Sequence, residues 1–357
     1  MLTIGVDFSK KSSVYRVLDA KGQWVAGRKI ENRPEFIHAF LDELAGPKQL
    51  ALEATRNWGL YYECVKEHVD RFYLGHPKKM KAITQSETKN DSNDAQMIAR
   101  LTYSGFLPQA YVCDLDMRQL RSLLRFRHFL VDQRRSIRNQ VQTLLDRNLW
   151  PHERPGSFKD PFCRRGLQWL RALALPERER FILDQALTSF EHLSAQIGRL
   201  EEFLQTQTFD LPGLPWLRTV PGFRRSQVNA LVVLTEVADI RRFRKADHLI
   251  HYAGLIPRER SSGDKHRTGR LVKEANLHLR RAFLESTLAA IRAQSGLKAY
   301  YQSVKTRAGS GAGIVATARK LASAVYWVLK EQRPYRPEKV FVLSPAAACH
   351  PATVTDR

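Results

Sequence analysis

The opening third of the chain alternates apolar and polar positions in short β-branched runs. Three such runs, LTIGVDFS, SVYRVLDA and WVAGRKI, follow one another with Lys-Gly and Ser-rich turns between them, which is typical of an antiparallel meander. Helical spacing and short apolar runs then take turns: PEFIHAFLDEL is a predicted helix, QLALEAT a strand, WGLYYECVKEHV a helix and RFYLG a strand. This order predicts an α/β sheet covered by helices.

Long helical stretches follow from about Asp114. Residues 116–149 keep leucine, isoleucine and valine near one stripe of a helix, and residues 177–205 resume helical spacing after a proline-rich break. Two long helices joined by a break predict an antiparallel hairpin. A single hairpin partner need not cover the whole apolar stripe of the first helix, so the pattern also favours a homo-oligomer.

Four regions follow from these patterns. The third is mostly helical and contains a Pro221-Gly222 turn ahead of an apolar helix, and the tail is rich in proline without clear periodicity. The predicted regions are a sheet domain at 1–113, a long helical hairpin at 114–210, a helical domain at 211–330 and a loosely ordered tail at 331–357.

The net charge of the chain indicates which class of molecule it binds. The 357 residues include 58 Lys and Arg against 36 Asp and Glu, a formal charge of +22, and a chain this basic is expected to bind something anionic. We therefore expect nucleic acid. Five arginines of the first long helix could form a solvated face or a ridge that contacts phosphates, and the sequence favours neither; they are Arg125, Arg127, Arg134, Arg135 and Arg138.

The sequence argues against a membrane protein and against a disulfide-rich one. No uninterrupted apolar run approaches the roughly 18–20 residues of a membrane span, and an Asp already stands at position 7. The four cysteines lie far apart without a C-x-x-C pair, so neither a disulfide framework nor a zinc site is indicated. We expect a protein of the reducing cytoplasm, with no signal peptide and no membrane helix.

Four carboxylates stand where a sheet and a helix could bring them together. Asp7 closes the first predicted strand, and Glu53 ends the strand in LALEAT. Asp91 and Asp94 begin a predicted helix three residues apart, so their side chains lie on one face about 5–6 Å apart. Taken singly, each acid is better explained as a helix cap or a turn residue than as a metal ligand. As an ordered set on an α/β pattern in a basic chain, they predict a metal site.

The chemistry of phosphodiester cleavage calls for such ligands. Two Mg²⁺ ions about 3.5–4 Å apart need a cluster of hard oxygen ligands, with one carboxylate bridging the metals. Four carboxylates held together repel one another without cations, so their clustering is itself a prediction of metal binding. We expect two Mg²⁺ ions per site, with Mn²⁺ as a substitute.

Two groups of motifs resemble a known family. GVDFSKKS, LEAT and NDSNDAQMIARL together resemble the DEDD catalytic domain of the bridge-RNA-guided insertion-sequence transposases, a domain similar to the RuvC Holliday-junction resolvase and RNase H. TVPGF and the stretch from RRFRKADHL to LRRAFLES resemble the second conserved domain of that family. The resemblance covers most of residues 1–107 and 215–290. It implies an α/β RNase H/RuvC-like domain and a C-terminal transposase domain; together with the helical patterns above, we expect a coiled-coil-like helical hairpin between them and a mostly α-helical C-terminal domain.

The resemblance also implies a nucleophile. From the residues alone, positions 257–276 form a basic loop, and a serine hydroxyl attacks only when a base, a metal or a cationic environment helps it lose its proton. In similar transposases the serine directly before the glycine of this loop is the nucleophile, which corresponds here to Ser262, with Ser261 as the fallback. The resemblance implies that Ser262 forms a transient phosphoserine link to DNA while the metals are held by a partner subunit.

Partners follow from the same resemblance. It implies that the substrates are the ends of a mobile element and its DNA target, that a guide or bridge RNA takes part, and that the protein works as a dimer or tetramer. A bacterial or archaeal cell, with the protein at the nucleoid, is the expected setting.

Further basic and polar residues are expected to contact nucleic acid. Backbone N–H groups at the helix start after Pro221-Gly222 could hold a phosphate, although an ordinary helix turn explains this pair equally well. Lys273 and Asn276 match the family's K-x-G-N element with Ala275 in place of glycine, and Arg224 replaces a second glycine of the earlier turn. The predicted contacts are Arg125, Arg134, Arg138, Arg224, Arg225, Arg270, Lys273, Asn276, Arg280 and Arg281.

Three other functions stay open from the sequence. A junction-resolving nuclease would use the four acids alone, with the serine loop as a DNA clamp. An actin-like sugar kinase or ATPase also opens with a strand, an Asp and a turn, but FSKKS offers no glycine for a phosphate loop. A non-enzymatic DNA or RNA scaffold would use the basic helices and would bind without magnesium.

Overall fold

The protein divides into two compact units. The computed structural model describes residues 1–83, 91–148, 155–156, 158–224, 226–262, 265–293 and 296–337. The units are Met1–Leu115 and Asp116–Arg357. The first unit ends two residues beyond the predicted boundary at 113. Across the described ranges, no helix is both long and apolar enough to cross a membrane. Most of the predicted tail, from residue 338 onward, lies outside the described residues.

A mixed six-stranded sheet forms the centre of the first unit. Its spatial order is β3-β2-β1-β4-β5-β6. The first three strands form the predicted antiparallel meander, β4 and β5 run parallel to β1, and the short β6 is antiparallel to β5. The strands are β1 (Leu2–Phe8), β2 (Ser12–Leu18), β3 (Trp24–Glu31), β4 (Lys48–Glu53), β5 (Arg71–Gly75) and β6 (Gln109–Ala110).

Helices cover both faces of this sheet. They are α1 (Pro34–Glu43), α2 (Trp58–Val65), α3 (Pro77–Ile83) and α4 (Asp91–Tyr103). On one face, alternate residues of β1 and β4 pack with α1 and α2 into a buried core that includes Val6, Leu52, Phe40 and Tyr61. The alternating burial explains why short apolar runs were recognisable as strands. The α/β architecture expected from the sequence is present.

The opposite face lies against α4 at unusually short range. A Cβ built on Gly5 of β1 would stand 2.2 Å from the carbonyl oxygen of Ala95 and 2.8 Å from the Cβ of Ala99. Only a residue without a side chain allows this approach of helix to strand. Gly5 therefore fixes how closely α4 sits on the sheet.

Two long antiparallel helices begin the second unit. They are α5 (Leu115–Asn148) and α7 (Glu177–Gln207), with the short α6 (Arg164–Ala172) between them. Arg127 of α5 pairs with Glu201 of α7, and further along α5 Arg134 donates to Ser194. Partner numbers fall on one helix as they rise on the other, so the predicted antiparallel hairpin is confirmed. The helix α6, which the sequence pattern did not predict, packs its Leu170 into the far end of this hairpin.

The remaining helices enclose one very apolar helix. They are α8 (Leu214–Leu217), α9 (Gln227–Val237), α10 (Ala246–Tyr252), α11 (Leu277–Arg292) and α12 (Gly296–Glu331), which is kinked at Gly309. Every residue of α9 from Asn229 to Val237 is buried. Leu124 and Leu204 of the long hairpin join the same core. The base of the hairpin and the C-terminal helices therefore fold as one body.

A two-stranded hairpin replaces the basic loop that the sequence indicated. Its strands are β7 (Pro257–Ser262) and β8 (Lys265–Leu271), paired antiparallel. These strands are rich in Arg, Lys, Ser and Thr and have no apolar face, so the alternation that marks a half-buried strand is missing from the sequence.

Candidate active site

Two of the four predicted acids end neighbouring parallel strands. β1 and β4 are paired in register from Leu2 with Lys48 to Val6 with Leu52. One further step along this register brings Asp7 beside Glu53, on the sheet face that carries Gly5 rather than on the apolar core face. Both side chains are half-buried. The carboxyl ends of parallel strands thus bring these two acids to one edge.

The direction of α4 brings its first turn to the same edge. Near the end of α4, Arg100 lies 5.6 Å from the ring of Trp24, and the hydroxyl of Tyr103 donates to the carbonyl of Ala20 at 3.3 Å. Ala20 lies in the β2–β3 turn and Trp24 begins β3, and this end of the sheet adjoins the beginning of β1 because Thr3 pairs with Leu18. The start of α4, with Asp91 and Asp94, therefore lies toward the end of β1.

The described side chains do not by themselves make a complete metal site. Asp94 is half-buried on α4, whereas the side chain of Asp91 lies outside the described residues. In the part of the chain that the structure describes, no three His, Cys, Asp or Glu side chains are grouped closely enough to hold a metal ion. The backbone brings the four positions to one sheet edge, and the ligand geometry of the four acids stays a prediction.

Two buried polar atoms without hydrogen-bond partners follow the strand ends at this edge. Thr55 Oγ1 and His76 Nδ1 are both buried without a hydrogen bond, and they follow the paired residues Glu53 and Gly75 at the ends of β4 and β5. Buried polar groups are ordinarily satisfied, so each of these two atoms calls for a partner that the described residues do not supply. Because the available metal ligands are carboxylate oxygens, the residues of this edge fit a hard divalent cation such as Mg²⁺.

Arg16 ties α4 to the sheet beside these acids. It lies opposite Gly5 on β2, and its Nη2 donates to the hydroxyl of Ser92 at 2.6 Å. Its Nε is buried without a partner. A cation in this position holds the first turn of α4 and adds positive charge close to the predicted carboxylate cluster.

The predicted nucleophile ends a strand of the basic hairpin. Ser262 is the last residue of β7 and is paired in register with Lys265, the first residue of β8, while Ser261 is paired with His266. The side chains of both serines lie outside the described residues, as does that of Arg270. The hairpin brings the backbone of Ser262 to its end, next to a lysine position.

The base of the hairpin is anchored to the helical body through main-chain atoms. Asn276 caps α11, since its Oδ1 accepts from the backbone N–H of Leu279 at 3.0 Å, and its own backbone N–H donates to the carbonyl of Tyr252. Arg280 donates to the carbonyls of Ala253, before β7, and Val272, after β8. One arginine therefore holds both ends of the hairpin.

Asn276 is in turn held by a buried glutamate. Its Nδ2 donates to Glu236 Oε2 at 2.7 Å, and Arg125 of α5 binds both oxygens of the same carboxylate. Burial alone would raise the pKa of Glu236, but hydrogen bonds and charge from Arg125, together with Asn276 and Arg121, outweigh it and keep the pKa below its ordinary value. Glu236 is therefore a charged, buried junction between α5, α9 and the start of α11.

A pair of histidines lies on the same helices. His128 and His278 are stacked with their Nδ1 atoms 3.0 Å apart, so one ring donates to the other. Burial, followed by the positive charges of Arg281 and other neighbours, lowers the pKa of His128 to about 4. The pair is therefore neutral near pH 7 and serves packing between α5 and α11.

Two family models match this chain. A transposase model of the DEDD type from IS110 matches residues 4–149, and the transposase model of the IS116/IS110/IS902 family matches residues 215–302. The first range contains all four predicted acids, and the second contains Ser262 and its anchor. This chain belongs to the IS116/IS110/IS902 family of transposases.

Curated relatives match along nearly the whole length. The transposase for insertion sequence element IS1111A of Coxiella burnetii is 24% identical over 93% of this chain and 91% of its own length. A protein described as a probable family 20 transposase of Pseudomonas aeruginosa is also 24% identical, over 94% of this chain and 98% of its own length. The likeness therefore extends through both units and the long helical hairpin.

Several predicted nucleic-acid contacts of this transposase have partners within the protein. Arg134 donates to Ser194 and lies near the ring of Phe190, and Arg138 pairs with Asp160. Arg125, Asn276 and Arg280 belong to the anchor described above, and Arg281 pairs with Asp132 and Glu285. Arg224 and Lys273 are exposed, whereas Arg225 lies outside the described residues. Contact of any of these side chains with nucleic acid stays a prediction.

Sequence reasoning missed two residues that organise the transposase. Glu236 is a lone acid near the end of the apolar stretch QVNALVVLTEV, and this break in an otherwise apolar helix was the available signal. Arg16 offered no comparable signal, because a basic residue in a half-buried strand usually faces solvent. Only the close packing of α4 on β1 and β2 turns Arg16 into a structural contact.

Proposed function

We propose that this IS110-family transposase cuts and rejoins DNA through a divalent-metal site formed by Asp7, Glu53, Asp91 and Asp94, together with Ser262 as the nucleophile. The observation that carries the proposal is the meeting of the ends of β1 and β4 with the first turn of α4 at one edge of the sheet. Carboxylates at such an edge are the ligands that phosphodiester chemistry with Mg²⁺ requires.

The order of the strands supports an RNase H/RuvC-like domain. A meander of three antiparallel strands, followed by two strands parallel to the first, gives the order β3-β2-β1-β4-β5. The acids occupy the end of the central strand, the end of its parallel neighbour and a helix on one face. This arrangement agrees with the fold that the GVDFSKKS and NDSNDAQMIARL motifs resemble.

Asp7, Glu53, Asp91 and Asp94 would hold the metal, with two Mg²⁺ ions or substituting Mn²⁺ ions per site. Bound there, the ions supply positive charge for the phosphate oxygens as charge builds up on them. The chain itself contributes the rigid placement of the carboxylates, since Gly5 lets α4 lie directly on β1 and Arg16 holds its first turn. Preorganised ligands of this kind reduce the rearrangement needed at the moment of reaction.

Ser262 would carry out the exchange of DNA strands in two steps. Its Oγ gives up its proton and forms a bond to a DNA phosphorus, the bond from that phosphorus to one sugar oxygen breaks, and the released oxygen takes up a proton. A hydroxyl of the second strand then attacks the phosphoserine and frees the serine oxygen, which regains its proton. Lys265, paired with Ser262 in register, would add positive charge beside the attacking oxygen.

The partners would be DNA, an RNA guide and further copies of the chain. The charge of +22 suits a protein that holds several nucleic-acid backbones at once. Phe126 and Phe129 of α5 leave 52% and 54% of their surface exposed, which favours contact with a second copy. In a dimer or tetramer, the serine of one subunit could work with the metal site of another.

The test is a strand-transfer reaction on DNA carrying the element's junction, with and without RNA transcribed from its flank. We expect a covalent protein–DNA adduct that depends on Mg²⁺, on the RNA and on Ser262. Asp7→Asn, Glu53→Gln and Asp94→Asn should abolish cutting while binding is retained. Glu43→Gln is the matched control, because this acid forms an exposed pair with Arg28 in the same unit.

The outcomes separate the competing functions. Cutting that continues in Ser262→Ala without any adduct would indicate a junction-resolving nuclease that uses the acids alone. Ser261→Ala tests the fallback nucleophile in the same assay. Binding that needs no magnesium, combined with silent Asp7→Asn, would indicate a scaffold and overturn the proposal.

A further inference from the structure

A polar cavity lies between the long helical hairpin and the start of α9. Its volume is about 330 Å³, near the lower end of the range for ligand sites. Arg127 and Glu201 form one wall, and Leu204 and Leu231 are among its apolar residues. Neither the carboxylate edge nor the serine hairpin of the proposed active site contributes to its lining.

The start of α9 opens into this cavity. Ser226 caps the helix, since its Oγ accepts from the N–H of Asn229 at 3.4 Å and its carbonyl accepts from Ala230. Among the described residues, the backbone N–H groups of Gln227 and Val228 have no hydrogen-bond partner, as expected for the first turn of a helix. This end of an 11-residue helix carries partial positive charge, and its N–H groups can donate hydrogen bonds to a phosphate oxygen.

An unpartnered amide provides a second and independent observation. Asn229 is only 6% exposed and lines the cavity, yet its side-chain amide has no hydrogen-bond partner within the described part of the chain. The amide atoms are not among the fully buried polar atoms that lack a partner, so they are open to the cavity. A ligand that both accepts and donates hydrogen bonds would take the place of solvent there.

The other residues that line the cavity favour a flat heterocycle with a polar edge. Gln205 and Gln227 add two more amides, and the Oε1 of Gln227 is held by Arg218 at 2.9 Å, which leaves its NH₂ group to donate. Glu201 pairs with Arg127 and Glu285 with Arg281, so the charged side chains of the lining are already paired and the inside of the cavity suits a neutral group. A neutral ring within the cavity and a phosphate at the helix start satisfy both conditions.

We infer that this cavity binds one unpaired nucleotide of a nucleic-acid strand, with its base inside against Asn229 and its phosphate on the N–H groups of Gln227 and Val228. Bases taken out of a stack are commonly read in this way, by hydrogen bonds to the edge of the ring. The inference rests on the proposed function only in assuming a nucleic-acid partner. DNA and RNA share this chemistry, and the probes below separate them.

The experiment measures binding of the full chain to short oligonucleotides of mixed sequence by fluorescence anisotropy. The probes are a single strand as DNA, the same strand as RNA, the DNA duplex and an abasic single strand. Asn229→Leu and Gln205→Leu should each weaken binding of the base-containing single strand about tenfold, since each loses hydrogen bonds to the base. Binding of the duplex and of the abasic strand should stay within twofold of the parent protein.

Asn139→Leu is the matched control, because Asn139 is exposed on α5 away from the cavity. Asn229→Leu removes an amide that faces the cavity and bonds to no described side chain, so the fold should persist; an unchanged circular dichroism spectrum checks this. A loss seen with RNA alone or DNA alone identifies the strand. If both cavity variants bind every single-stranded probe within twofold of the parent, the inference is wrong.

Magnesium-dependent cutting, measured in parallel, separates this inference from the proposed function. A parent protein that binds single strands through Asn229 but never cuts would overturn the proposed function alone. A protein that cuts normally while both cavity variants bind like the parent would overturn the inference alone. A parent protein that binds no probe overturns both.

Discussion

Arg125 and Glu236 form a two-point ion pair between helices α5 and α9. Arg125 Nε lies 2.8 Å from Oε1 and Nη2 lies 2.9 Å from Oε2 of the glutamate, whose side chain is almost fully buried. The same carboxylate accepts from Asn276, which begins the helix after the serine hairpin. One buried charge thus connects the long hairpin with the element that carries Ser262.

Replacing Arg125 should be far more costly than replacing an exposed arginine of the same helix. Arg125→Gln leaves a buried carboxylate without its main counter-charge, and we expect a loss of about 3 kcal/mol in the free energy of unfolding. Arg135→Gln is the control, since Arg135 pairs with Asp132 on the surface and should cost less than about 1 kcal/mol. Urea unfolding of the two variants measures the difference; equal losses would contradict the assignment.

Gly254 is required by the anchor at the base of the serine hairpin. Its φ is +64°, and an added Cβ would lie 2.1 Å from Arg280 Nη2 and 2.3 Å from Ala275 Cβ. Gly254→Ala should therefore displace Arg280 and destabilise the unit by about 2 kcal/mol. The helical Gly311 would have nothing within 4 Å of an added Cβ, so Gly311→Ala should be neutral or stabilising by up to about 1 kcal/mol. Chemical denaturation of both proteins distinguishes the two sites.

Gly5→Ala should loosen α4 from the sheet. The new methyl group would overlap the backbone of Ala95, which cannot move without the whole helix. We expect faster hydrogen–deuterium exchange in α4, with α1 on the other face less affected, because only the α4 face contacts Gly5. Gly198→Ala, in an open position on α7, should leave α4 unchanged. Unaltered exchange in α4 of Gly5→Ala would show that the close approach is not needed.

His128 should make stability depend on pH on the acidic side of neutrality. Its pKa is about 4 in the folded chain, below the ordinary value of 6.5, so the unfolded chain takes up a proton first as the pH falls. The stabilisation is complete above about pH 6.5 and is lost as the pH falls toward 4, by about 3 kcal/mol in total.

Urea titrations at pH 7.5 and pH 5 measure this dependence. His128→Gln should lessen the loss, whereas the exposed His192→Gln on α7 should follow the parent protein. His278, stacked on His128, also has a lowered pKa caused by burial and then by Arg125, so part of the dependence should survive in His128→Gln. An identical pH dependence in His128→Gln and the parent would contradict the role of His128.

Elements with a regular apolar pattern could be predicted from the sequence. Their apolar residues repeat every 2 or 3.6 positions, because one face of each element is buried. These elements are the meander, the strands ending at Glu53 and Gly75, and the two long helices. The hairpin β7–β8 could not be predicted, because its strands contain few apolar residues and show no such period. The two-residue β6 was too short for any pattern.

The position of the predicted acids at one edge of the sheet could be deduced from the sequence, whereas the residues that support this edge and the serine hairpin could not. Asp7 and Glu53 follow apolar strands, so the edge where they meet can be deduced from parallel pairing. Arg125, Arg280 and Asn276 carry charge or polarity, which favoured a role in nucleic-acid contact, but each has a partner inside the protein. Long-range pairing of this kind depends on which helices pack together, and local spacing carries no information about it.

Arg280 grips the carbonyl oxygens of Ala253 and Val272, and every amino acid supplies the same carbonyl group. Apart from Gly254, whose position tolerates no Cβ, the residues between those two points can therefore change without removing the two hydrogen bonds of Arg280. Natural variants, or a laboratory graft, could exchange the tip that bears Ser262 and keep the attachment of the hairpin through Arg280. The tip of the hairpin can therefore vary while its attachment to the helical body stays the same.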